Sequence, residues 1–82
     1  MNTITRIITQ ELRETRLFYT PPAITRETTF REDLGCDMVD IWSIACDIDE
    51  QLGVSLPERE VERLQTVGEL VDLVVAYEAQ AA

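Results

Sequence analysis

The sequence predicts an all-α protein, a four-helix bundle with three longer helices, one short third helix and a long loop between the first two. Three observations carry this. Apolar residues recur at helical spacing in three separate segments, residues 4–12, 41–52 and 70–77. Helix-start signatures precede two of them, Asp37 with Asp40 and Thr66 with Glu69. Proline and glycine divide the segments, at Pro21, Pro22, Gly35, Gly53 and Pro57. With 82 residues, 45% apolar and 28% charged, the chain has the composition of a folded domain and the length for one small core, so residues 1–82 are read as a single domain.

Each element follows from local chemistry. The first helix is expected from Thr3, as N-cap, to about Arg16, with Ile4, Ile7, Ile8 and Leu12 on its inner face. Pro21 and Pro22 cannot continue it, which leaves a loop over residues 17–36 whose anchors are Ile24, Phe30 and Leu34. Asp37 then caps a second helix over about residues 37–52, with Asp40 at its third position near the positive end of the dipole. Its narrow apolar face is Ile41, Ala45, Ile48 and Leu52, and Gly53 stops it. In the link, Val54 and Leu56 point inward. Pro57 opens a short acidic helix to about Arg63, and Thr66 with Glu69 starts the last helix on Leu70, Val71, Val74 and Tyr77.

Charge excludes whole classes of partner. Sixteen acidic residues stand against seven basic ones, giving a net charge of -9. Nucleic acid and anionic lipid surfaces both require clustered cations, so neither is expected, and a protein with a basic patch is the natural complement. There is no histidine, the commonest general base and metal ligand. With no paired nucleophile and base and no metal-ligand spacing, no enzymatic activity is expected. No leader-like or membrane-spanning stretch is legible, and the expected location is cytoplasmic. Cys36 and Cys46 are expected as reduced thiols, since ten residues of helix would hold them about 15 Å apart, too far for a disulfide.

The second helix carries a second apolar stripe. At 100° per residue, Val39, Trp42 and Cys46 turn away from the core face and stand among Asp40, Asp47, Asp49 and Glu50. An exposed Trp inside an acidic rim is the pattern of a docking patch, because Trp is enriched at binding hot spots and charged rims steer encounter. The competing reading packs Trp42 on the long loop, against Phe18 or Tyr19, and leaves the acids merely solvated.

The segments "FREDLGCDMVDI", "GVSLP" and "TVGEL" together resemble the acyl carrier proteins, small acidic four-helix bundles of fatty acid and polyketide synthesis. The resemblance implies a bundle of acyl-carrier type. In that family the residue after the Asp at the helix start is a serine whose hydroxyl carries 4'-phosphopantetheine, the arm that holds acyl groups as thioesters. Asp37 matches that Asp and Val39 the following Leu, but Met38 occupies the serine position. A thioether cannot form the phosphodiester, so no prosthetic group is expected on this chain. Ser43 and Ser55 lack the helix-start setting, and Cys36 is better read as a packed thiol than as an acylation site.

The resemblance also implies that partners read the second helix through Asp37, Val39, Asp40, Trp42, Cys46, Asp49 and Glu50; Ser43 replaces one recognition acid, and Asp47 adds a charge to this partner-binding face where the family often has a small residue. The expected function is therefore that of a monomeric, non-catalytic interaction module in or near acyl metabolism, with carrier-dependent acyl-transfer enzymes as partners. The alternative is a genuine carrier whose serine is altered in this chain or whose arm sits on another residue. A third reading is a helical subunit that shares only the shape. In carriers of that family an acyl chain can slip between the helices into the core; Ile41, Ile44, Ile48, Val54, Leu64 and Val71 are the candidates to line such a space here and are read as plain core.

Overall fold

A computed structural model describes residues 2–16, 20 and 22–81. The helices are α1 (Asn2–Thr15), α2 (Met38–Leu52), α3 (Glu58–Val61) and α4 (Val67–Ala81). Among the described residues there is no strand, only an isolated bridge between Thr29 and Thr66. Ile4, Ile7, Ile8 and Leu12 of α1 are buried as expected. The start of α1 differs from expectation. Asn2 is already helical, so Thr3 lies inside the first turn, exposed, and is not the N-cap. The regular helix ends at Thr15; Arg16 N–H still donates to Leu12 O at 3.1 Å, while its side chain turns to the loop.

Leu17, Phe18, Tyr19 and Pro21 lie outside the described residues, and so does any contact of Trp42 with Phe18 or Tyr19. Of the expected loop anchors, Phe30 and Leu34 are fully buried and Ile24 packs half-buried against the core. The loop is also stitched to the start of α4: Phe30 N–H donates to Gln65 O, Val67 N–H to Thr28 O and Gly68 N–H to Arg26 O, each at 2.9 Å. Gly68 is required there because a Cβ would stand 2.9 Å from Arg26 O. Within the loop, Thr29 N–H donates to Asp33 Oδ2 at 2.8 Å and Asp33 N–H to Thr29 Oγ1 at 3.0 Å, a reciprocal turn of the kind short polar side chains favour.

The remaining ends follow their sequence signals. Gly53, at φ 69°, closes α2 in the left-handed conformation that glycine adopts without a steric penalty, and its N–H bonds Asp49 O at 2.9 Å. Glu69 Oε1 accepts from Thr66 N–H at 2.9 Å, and Thr66 Oγ1 accepts from Glu69 N–H at 3.2 Å, the reciprocal cap expected for α4. The regular part of α3 stops at Val61, and residues 62–63 form a turn rather than helix. The inner face of α2 holds the residues read as core, with two of the expected row less deeply buried. Ile44 joins Ile41 and Ile48 as fully buried, while Ala45 and Leu52 are half-buried at the edges. α2 contacts both α1 and α3. Val54 is buried and Leu56 half-buried.

Candidate functional site: the start and outer face of α2

The turn that launches α2 is fixed by three side chains, Arg16, Asp37 and Asp40. Gly35, at φ 65°, takes a left-handed conformation that brings the carbonyls of Leu34 and Gly35 toward α1. Arg16 meets them there: Nη1 donates to Leu34 O and Nη2 to Gly35 O, both at 2.7 Å, and Nη2 also reaches Asp40 Oδ2 at 3.0 Å. Asp40 Oδ2 accepts from Asp37 N–H at 3.2 Å, and Asp37 Oδ1 accepts from Asp40 N–H at 2.9 Å. This is the expected capping box, extended by an arginine that the sequence reading did not assign. The only sequence signal for Arg16 is a base at the end of an amphipathic helix, which says nothing about its target.

Met38 is the first residue of α2, half-buried and packed against the core. Next to it Val39 projects outward, 70% exposed. Cys46 is exposed as expected, but Trp42 is not an open surface residue: it is half-buried and packed against the core edge. The correction has a simple cause. With Ala45, Cys46 and Asp49 of α2 and Ser55 and Leu56 of the following link, Trp42 lines a shallow depression, so the link covers part of the indole. The rest of the indole stays accessible, and Cys46 lines the same depression.

The acids divide into two groups. Asp37, Asp49 and Glu50 are exposed. Asp40 and Asp47 are half-buried; Asp40 is paired with Arg16, and Asp47 lies near the Glu11 carboxyl. Glu11 was not singled out in the sequence, because only the packing of α1 on α2 brings it to Asp47. That contact, burial and the charge of Asp47 push the Glu11 carboxyl from an ordinary 4.5 up to about 7.

Cys36 is 4% exposed, and burial, followed by the nearby negative charge of Asp40, pushes its thiol up to about 11. It remains a protonated thiol at neutral pH and is a poor nucleophile there. Both cysteines are free. Ile41, Ile44, Ile48, Val54, Leu64 and Val71 all belong to the one continuous core cluster. Among the described residues no group of acids and cysteines is arranged to hold a metal ion, and no helix is long and apolar enough to cross a membrane.

The family described as "Phosphopantetheine attachment site" matches residues 2–74. Over 69 residues the chain is 36% identical to an acyl carrier protein of Rubrobacter xylanophilus, covering 84% of this chain and 85% of that one. The chain belongs to the acyl carrier protein family. Its helical arrangement agrees with solved carriers. The acetyl actinorhodin acyl carrier protein of Streptomyces coelicolor superposes with a TM-score of 0.80 at 27% identity, over 99% of this chain and 92% of that one. An acyl carrier protein of Thermotoga maritima gives 0.82 at 17% identity, over 99% and 93%, a likeness of fold. The acyl-carrier domain described here thus has the four-helix architecture of its family, whose characteristic group is 4'-phosphopantetheine.

Proposed function

We propose that this acyl-carrier domain works without a prosthetic group of its own, as a non-catalytic module that docks a basic patch of a partner protein on the outer face of α2. Proteins of the carrier-dependent acyl-transfer class fit that description, and the setting is cytoplasmic acyl metabolism of the fatty acid or polyketide type. The observation that carries the reading is Met38 at the first position of α2. A helix start favours an anionic phosphodiester, but attachment needs a hydroxyl, and a half-buried thioether offers none. The residues present do not fit 4'-phosphopantetheine.

The surface beside Met38 supports docking. Val39, Cys46 and the half-buried Trp42 give an apolar centre, and Asp37, Asp49 and Glu50 give it an acidic surround. Asp40 and Asp47, half-buried, add charge at the margin. Calorimetry against carrier-dependent acyl-transfer enzymes tests the reading. Trp42→Ala is expected to weaken binding by at least about tenfold, the loss of a modest hot spot. Absence of binding, or binding indifferent to that change, overturns it.

The competing reading, a genuine carrier, is favoured by the intact cap and by 36% identity to a carrier over most of the chain. Incubation with a phosphopantetheinyl transferase and coenzyme A, followed by intact mass measurement, separates the two. An unchanged mass is expected; a gain of one phosphopantetheine group establishes the carrier.

A further inference from the structure

The acids of α2 are not equivalent to an approaching cation. Asp40, in the first turn, already has one: Arg16 Nη2 stands 3.0 Å from Asp40 Oδ2, and the same guanidinium donates to Leu34 O and Gly35 O at 2.7 Å. Three acceptors hold it in place. A mobile side chain from a partner would lose its own freedom on displacing it and would leave the guanidinium short of acceptors, so the internal cation wins this position. Asp37 is engaged as well, its Oδ1 accepting from Asp40 N–H at 2.9 Å.

The far half of α2 is different. Among the described residues the ion pairs are Arg16–Asp40 and Arg26–Asp72, so Asp49 and Glu50 stand exposed without a cation. The last turn of α2 has no basic residue to meet the negative end of its dipole. Asp49 lies about 13.5 Å along the helix from Asp40, beyond the screening length of about 8 Å in physiological salt, so the charge of Arg16 does not quench that end. Asp49 also borders the depression it shares with Trp42, Cys46 and Leu56, about 110 Å³ in volume. Small-molecule pockets begin at roughly 300 Å³, so this one suits the tip of a single side chain.

Resting on the reading of α2 as a docking face, we propose that Arg16 is an internal competitor for the partner's cations. It withdraws Asp40 from the face and directs a basic partner to the far half of α2, where an arginine enters the depression between Trp42 and Asp49. Arginine suits that place because its plane stacks on an indole while its charge meets a carboxylate.

The test titrates the 15N-labelled full chain with tri-arginine amide and follows the backbone amides and the Trp42 indole N–H by NMR. In the wild type, shift changes are expected to concentrate at residues 45–50 and the indole and to be at least about twofold smaller at residues 38–41. In Arg16→Gln the changes at residues 38–41 should rise to match those of the far half. Arg16→Lys keeps a charge beside Asp40 and should restore the wild-type pattern while recovering only part of the stability. A clamp that merely held the fold would make the pattern follow stability instead. Equal changes along α2 in the wild type, or none anywhere, overturn the proposal without any variant. A pattern unaltered in Arg16→Gln, or unrestored by Arg16→Lys, overturns it as well. Absence of enzyme binding in calorimetry defeats the docking reading, whereas this peptide map decides the role of Arg16 by itself.

Discussion

Replacing Arg16 with Gln removes a side chain that joins the end of α1, the Gly35 turn and the first turn of α2. Its guanidinium donates to Leu34 O and Gly35 O at 2.7 Å and to Asp40 at 3.0 Å. Hydrogen bonds with a charged partner are worth about 1.5–3 kcal/mol each when shielded from water. Here the Arg16 and Asp40 side chains retain 26% and 22% exposure, so the ion pair itself contributes no more than about 1 kcal/mol. Water replaces part of the carbonyl bonds, and the net loss is about 2–3 kcal/mol. For a domain of this size that lowers Tm by about 10–20 °C. Thermal unfolding followed by far-UV circular dichroism measures it. Arg16→Lys keeps the charge, but a compact ammonium cannot span three acceptors as a planar fork does, and it should restore less than half of the loss. A drop in Tm smaller than about 4 °C for Arg16→Gln, the shift of a single kcal/mol, would refute the clamp.

Gly68→Ala should destabilise the domain by about 1–3 kcal/mol, because its Cβ would meet Arg26 O at 2.9 Å; amide exchange should quicken first at Phe30 and Val67, which bridge loop and α4. At pH 8 a thiol reagent should label Cys46 in the folded protein while Cys36, buried and pushed up to about 11, reacts only after unfolding, which quantitative mass spectrometry resolves. Met38→Ser places a hydroxyl at the first position of the capped helix and should make the domain a substrate for phosphopantetheinyl transferase; an unmodified variant would show that the surrounding surface no longer fits that enzyme.

The sequence by itself determined the features closed within a few residues. The Asp37–Asp40 cap, the Gly53 stop and the Thr66–Glu69 cap each join groups three or four positions apart, and helical periodicity places Ile41, Ile48, Leu70 and Val74 inward. Backbone geometry at that range is nearly the same in any fold, so residue identity suffices. Thr3 failed as a cap because helix starts carry little information when the preceding residue can also be helical. The half-burial of Trp42, the Arg16 clamp and the approach of Glu11 to Asp47 were decided by tertiary structure alone. Each depends on which turn of one element lies against which turn of another. A shift of a single helical turn, about 5.4 Å, would break the two polar contacts while leaving every local signal in the sequence unchanged.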